Sequence, residues 1–412
     1  MNKKKIAIIG AGISGLAAGK LLSRNFDLTI FEKKNLIGGI ARTKDIDGVA
    51  YHLVGGHCFN SKNKHVMDFV FSEVLPKRKW HLVERKAKIN FKNNLISYPI
   101  EFSLKEIAQF DEELAFNIVK DFLITKPKKA KNLADWFKIN FGSTLAQEYF
   151  IPYNKKIWNK NPYKMSHLWI KGKLPLPNKK TFFNALLGNV KDTMPHQKFY
   201  YPNSNNQNSF INALSKNLNI IKNFDVISIE KIKNKWLIND KLKFDYVVST
   251  VPLNLITKIV KKMPKYLIKE SEKLKYNKIT NVLWESDKVN STWTYFPDKD
   301  TIFHRHIHIG NFFRPKRNYT ITESIGEHSY KKMINHGKKF KYLKKPIGYN
   351  LSDHAYVVYD ENYLNSSSKI KNYLSKIKLF TLGRFGEWEY YNMDICIESA
   401  MSLSKYMNKN FG

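Results

Sequence analysis

The hydrophobic positions change their period several times along this chain. Residues 6–9 form a short continuous apolar run, followed at once by Gly10, Gly12 and Gly15 and then by an apolar series with helical spacing. That pattern predicts a buried strand, a tight turn and a helix opening near Gly12. A second strand is predicted in "DLTIFEK", ending at Glu32. From about 103 to 195 apolar residues recur at intervals of three and four, as in "LKEIAQFDEELAFNIVKDFLI" and "LADWFKINFG", which predicts helices joined by the basic connector "TKPKKAKN". Alternation returns around Val226 and Ile229, and an apolar strand is predicted at 246–248. A turn in "GRFGEWEYYNMD" then leads into a final amphipathic helix. No apolar run approaches the length that spans a bilayer, so no stable membrane insertion is expected.

Composition narrows the class. A chain of 412 residues, 43% hydrophobic and 14% aromatic, can bury a large core in two or three structural units. The formal charge of +35 invites a nucleic-acid reading, yet the excess is scattered lysine, and no nucleic-acid partner is expected. Only eight of the 70 basic residues are arginine (24, 42, 78, 85, 305, 314, 317 and 384), so an arginine here marks a place that uses a planar, bidentate fork. Cys58 and Cys396 are too few for a disulfide framework and lack metal-site spacing, so no metal is expected. The basic start has no secretory apolar segment, and the expected location is the cytoplasm.

In the first strand–turn–helix, Gly10 permits the turn, Gly12 lets backbone approach a pyrophosphate, and Gly15 lets the helix pack closely on the strand. Glu32 follows 22 residues after Gly10, placed to bond a ribose hydroxyl. This context favours a dinucleotide site over a structural glycine turn.

Just downstream, "NLIGGIART" supplies Gly38, Gly39 and Arg42. The whole resembles FAD-binding oxidoreductases of the amine oxidase and protoporphyrinogen oxidase type. The resemblance implies an FAD site at Gly10, Gly12, Ile13, Ser14, Gly15, Glu32, Lys33, Gly39 and Arg42, with Val226 backbone facing the adenine. For the 225–252 segment alone, an ordinary hairpin and strand is the alternative.

A narrower resemblance covers nearly the whole chain. "PYNKKIW", "KMSHLWIKGKL", "VGGHCFNSKNKHVMDFV", "RKAKINFKNNLISYPI", "WTYFPDKDTIFHRHIHIGNF", "HAYVVYDENY" and "GRFGEWEYYNMD" resemble, in order, segments of the UDP-galactopyranose mutases, the eukaryotic type above all. The resemblance implies that His57 lies over the flavin, that Arg85 and Tyr98 sit near the flavin and nucleotide pocket, and that Asn154, Trp158 and His196 contact substrate. Tyr295 and Arg305, with Lys173, then match diphosphate-binding positions. Tyr356 and Tyr390 match a tyrosine pair around the diphosphate and sugar. Gly383, Arg384, Asn392, Met393 and Asp394 would close over the flavin, with the last helix directed at its phosphates. A tryptophan such as Trp158 is otherwise a common core residue, and Asn154 a common cap.

Three departures stand out: Lys173 where the mutases have Arg, Glu101 where they have Gln, and Asn60 where they have Phe. The expected fold class is α/β: a Rossmann-like FAD-binding domain with a helical insertion and an antiparallel β-sheet substrate domain. The expected division is 1–50, 205–260 and 378–412 for FAD, 103–200 for the helices, and 51–102 with 261–377 for the substrate sheet. The implied activity interconverts pyranose and furanose forms of a UDP-sugar, with N5 of reduced flavin bonding the anomeric carbon and NAD(P)H or another reductant as activator. The alternative is an FAD-dependent oxidoreductase of the amine oxidase or desaturase class. The sequence leaves the oligomeric state open.

Overall fold

A computed structural model describes residues 3–170, 172–189 and 197–412. Its first layer is a parallel five-stranded sheet in the order Leu379–Thr381, Tyr246–Ser249, Lys5–Ile9, Asp27–Phe31, Ile220–Ile221. The central strand is buried at Ile6, Ala7, Ile8 and Ile9, which explains its continuous rather than alternating apolar run. The helix Ile13–Leu22 packs on the C-terminal helix Met393–Phe411, and Leu16, Ala17, Ile397 and Ala400 join one core cluster there.

Gly10 and Gly15 explain the turn physically. Gly10 has φ +100°, and a Cβ on it would lie 2.1 Å from Thr250 Oγ1. A Cβ on Gly15 would lie 2.0 Å from the Gly10 carbonyl oxygen, so this helix can start here only on glycine.

The second layer is a seven-stranded mixed sheet in the order Leu343–Val357, Tyr276–Ser286, Tyr319–Ile325, Phe303–Ile307, Trp293–Tyr295, Ala87–Phe91, Asn94–Ser97. All its pairs are antiparallel except Trp293–Tyr295 with Ala87–Phe91. A bulge between Phe303 and Arg305 breaks the register against Tyr319–Ile325. Bulges re-aim side chains, and here His304 and Arg305, consecutive in one strand, both reach Glu323.

Helices fill the middle of the chain: Glu112–Ile124, Leu133–Phe141, Ile151–Trp158 and Lys179–Leu187. A widened π-type turn at Ala146–Phe150 leads into Ile151–Trp158. That helix is pinned to the sheet by Lys156, whose Nζ donates to Phe296 O at 2.9 Å and Asp298 O at 2.7 Å, and by Asn277 Nδ2 donating to Trp158 O at 2.8 Å. No helix among the described residues is long and apolar enough to cross a membrane.

Candidate active site

A cavity of about 1130 Å³ runs between the two sheets and the helical layer. The glycine turn contributes Gly10, Gly12, Ile13 and Ser14, and the end of the second strand contributes Glu32 and Lys33. Gly39, Arg42 and Val226 line it as well. Gly15 does not: it is the packing glycine under the turn. From the C-terminal stretch come Gly383 and Arg384, in the short helix Gly383–Gly386, and Asn392, Met393 and Asp394, at the start of the last helix. His57, Tyr98, Asn154, Trp158, Lys173, Tyr295, Arg305, Tyr356 and Tyr390 complete the set drawn from the sequence. His196 lies outside the described residues.

The glycine end fits a dinucleotide. Glu32 is held at its strand end by accepting the Ala11 N–H through Oε2 and the Lys34 N–H through Oε1, each at 3.0 Å. The helix Met393–Phe411 has no side-chain cap at Asn392, so its first amides and positive dipole end face the cavity wall. Arg384 Nε and Nη2, both donors, and the His57 ring nitrogen Nε2 are buried without hydrogen-bond partners, as expected where a polar group is to lie.

His57 is held neutral. Burial, then Arg384 and Arg305, lower it to about 4. Its backbone N–H donates to His52 Nδ1 at 3.2 Å, and His52 Nε2 meets Tyr201 OH at 2.8 Å, a buried chain that fixes the loop.

The cations form a second group. Arg305 donates through Nε to Glu323 Oε1 at 2.7 Å and through Nη2 to Tyr356 OH at 2.8 Å. Arg384 lies 5.0 Å from the Tyr356 ring centroid and 4.7 Å from that of Tyr390, stacked between two phenols. Lys173 Nζ sits 4.6 Å over the Tyr390 ring and 5.6 Å over Trp169, and burial brings its ammonium down to about 8. Two arginines and a lysine around a tyrosine pair can hold a dispersed dianion.

The Asn154 carbonyl oxygen accepts the Trp158 indole N–H at 3.0 Å while its amide donates to Phe150 O at 2.8 Å. Trp158 in turn meets Trp169, Tyr356, Tyr359 and Tyr390 edge-on. Asn154 is thus a bracket for the aromatic wall as well as a cavity residue.

Sequence reasoning passed over Glu323, fully buried beneath Arg305. An acidic residue at an inward position of the apolar strand "YTITESI" was the available signal. It also missed Trp169, Tyr149 and Tyr153, which read as ordinary core aromatics.

The fold and the glycine end define a Rossmann-type dinucleotide-binding protein: the family of NAD(P)-binding Rossmann-like domains matches residues 8–72. More narrowly, the chain is similar in sequence to UDP-galactopyranose mutases. It is 26% identical over 212 residues to the UDP-galactopyranose mutase of Mycoplasma pneumoniae, covering 49% of this chain and 48% of that one. With a probable UDP-galactopyranose mutase of Klebsiella pneumoniae it shares 31% identity over 175 residues, 39% of this chain and 43% of the other. The chain spans about half the length of these curated relatives. A crystal structure of a reduced UDP-galactopyranose mutase superposes with a TM-score of 0.86 at 19% identity, covering 99% of this chain and 96% of that chain, so the fold is shared end to end.

Proposed function

We propose that this protein is a flavin-dependent nucleotide-sugar mutase, interconverting pyranose and furanose forms of a UDP-sugar of the galactose type. The observation that carries the reading is a single cavity that joins a dinucleotide cradle to the Arg305–Arg384–Lys173 group. A redox flavoenzyme acting on an amine would have no use for three cations around two phenols. FAD would be held by the Gly10–Gly15 turn, Glu32, Arg42 and the N-terminus of the last helix. Bound and reduced, it supplies a nucleophilic ring nitrogen for the anomeric carbon.

The chain's own task is then to hold the diphosphate leaving group. Arg305 and Lys173 grip it from opposite sides, and Arg384 adds a third cation stacked between the tyrosines. Tyr356 OH, already accepting from Arg305 Nη2, is positioned to donate to a diphosphate or sugar oxygen. Trp158 and Trp169 exclude water. His57, neutral in the resting protein, leaves the cradle without an added positive charge.

The test is anaerobic: dithionite-reduced protein incubated with UDP-galactose, UDP-N-acetylgalactosamine and related nucleotide sugars. Conversion of one into its furanose isomer, with no reductant consumed per turnover and none by oxidised protein, supports the reading. Stoichiometric substrate oxidation with hydrogen peroxide release, and no isomer from any sugar, overturns it.

A further inference from the structure

Two consecutive lysines in the helix Ile151–Trp158 are used differently. Lys155 is exposed, whereas Lys156 is half-buried and directs its ammonium onto two backbone oxygens, Phe296 O at 2.9 Å and Asp298 O at 2.7 Å. Burial lowers the amine to about 8 while Asp298 and Asp300 hold it up, so at pH 7 it is charged and both bonds are charge-assisted. Taking an ammonium out of water costs free energy, and what it secures here is the relation between two walls of the cavity.

Asn154 and Trp158, four residues apart, share the helix face that lines the cavity, and Lys156, midway between them, lies off that face. The carbonyls it holds come just after Tyr295, the last residue of the strand Trp293–Tyr295, and Tyr295 is the ladder partner of Arg305 in the strand Phe303–Ile307. Phe296 N–H donates to His304 O at 3.0 Å and closes the same pair of strands. Lys156 therefore ties the hairpin that carries Tyr295 and Arg305 to the helix that carries Asn154 and Trp158. Tyr153, on that helix, meets Tyr295 edge-on with ring centroids 6.1 Å apart, a contact between the two walls that the tether keeps in register. We propose that Lys156 is a positioning residue for the ligand site: it sets the gap across which Arg305 and Tyr295 face Asn154 and Trp158, so that both walls engage one bound ligand at once. That the ligand is a nucleoside diphosphate compound rests on the nucleotide-sugar reading above.

Calorimetry of UDP binding to the full-length, flavin-loaded protein tests this, with flavin content as the folding check. Lys156→Met keeps the aliphatic stem and removes both bonds, and UDP affinity is expected to fall about tenfold, the worth of one or two hydrogen bonds, while flavin stays bound. Lys156→Arg, which keeps donors for the two carbonyls, is expected to recover most of that loss. The discriminating measurement is a double-mutant cycle: Asn154→Ala is expected to cost about threefold less in the Lys156→Met background than in the wild type, because the helix wall there has already left its set distance, whereas a residue that merely supports the fold gives additive losses. Lys156→Gln, which keeps an amide donor, carries the same cycle if Lys156→Met holds too little flavin for titration. Unchanged UDP affinity in flavin-loaded Lys156→Met, or additive losses in the cycle, overturns the inference alone. No UDP binding by the wild-type protein overturns the nucleotide-sugar reading, and this inference with it.

Discussion

Arg305 does not stand in the cavity as an isolated cation: its Nε–H bonds the Oε1 of fully buried Glu323 at 2.7 Å. Against the upward push of burial, Arg305, His304 and the Gly55 amide hold Glu323 down to about 2. The same carboxylate fixes the His loop, because Gly55 N–H donates to its other oxygen at 2.6 Å. One buried acid thus orients both Arg305 and the loop that carries His57 on the cavity wall.

Breaking that pair from either side leaves an uncompensated buried charge. Arg305→Ala is expected to lose about 3–5 kcal/mol of stability, and part of that loss should return in the double variant Arg305→Ala/Glu323→Gln. Denaturant unfolding of the three proteins checks it; additive losses would contradict the coupling. Glu323→Gln alone should weaken UDP binding although it never touches the ligand.

Gly15→Ala places a methyl where the Gly10 carbonyl oxygen stands, 2.0 Å away. The helix must then shift off the turn, and the purified variant is expected to lose its yellow colour or hold sub-stoichiometric flavin. Glu32→Ala, which releases the Ala11 and Lys34 amides, should do so more mildly. Absorbance of the purified proteins reads both.

On the ligand side, Lys173→Arg is expected to keep or improve UDP affinity, since a fork replaces a point charge and no longer titrates near pH 8. Unchanged UDP affinity in both Lys173→Ala and Arg305→Ala would remove the diphosphate role of these cations.

Tyr356→Phe removes the hydroxyl that accepts from Arg305, and Asn154→Ala frees the Trp158 indole N–H. Both should slow isomer exchange by about tenfold or more, each having lost at least one hydrogen bond at the site, while flavin stays bound. Single-turnover kinetics together with flavin content separates the two effects.

Acid should destabilise the fold well before its carboxylates protonate. Burial lowers His52 to about 3, His57 to about 4 and His308 to about 3. In the unfolded chain each titrates near 6.5. Because the folded values are depressed, the stability is fully present above pH 6.5 and is lost as pH falls from there toward 4, by about 1.4 kcal/mol per unit for each histidine at most. The melting temperature is expected to drop by several degrees between pH 7 and pH 5. A flat profile from 7 to 5 would show these rings protonated in the folded state.

The parts of this protein that sequence could reveal are those where chemistry forces a local pattern. The Gly10–Gly15 turn, Glu32 and the strand predicted at 246–248 follow from backbone sterics and burial, and the structure has the turn and Glu32 at those residues and the strand at Tyr246–Ser249. Val226 is different: alternation placed it in a strand, yet the strand begins at Ile229 and Val226 lies in the preceding loop, on the cavity. Glu323 escaped notice because its role is set by a partner 18 residues away across a bulged strand pair, and nothing in either segment alone encodes the bulge. Arg384 announced itself through arginine's rarity in a lysine-rich chain and through the resemblance carried by "GRFGEWEYYNMD". That it is clasped by Tyr356 and Tyr390 is a tertiary fact.

The parallel sheet sets the central strand Lys5–Ile9 between Asp27–Phe31, made soon after it, and Tyr246–Ser249, made far later, while Leu379–Thr381 and the helix Met393–Phe411 arrive last. A ribosome therefore delivers the glycine turn on the order of tens of seconds before the last wall of its own pocket. Through that interval the apolar edge of the first strand has no lasting neighbour on one side, an invitation to wrong pairing. Until the final helix has emerged, the cavity lacks the wall that Asn392, Met393 and Asp394 supply.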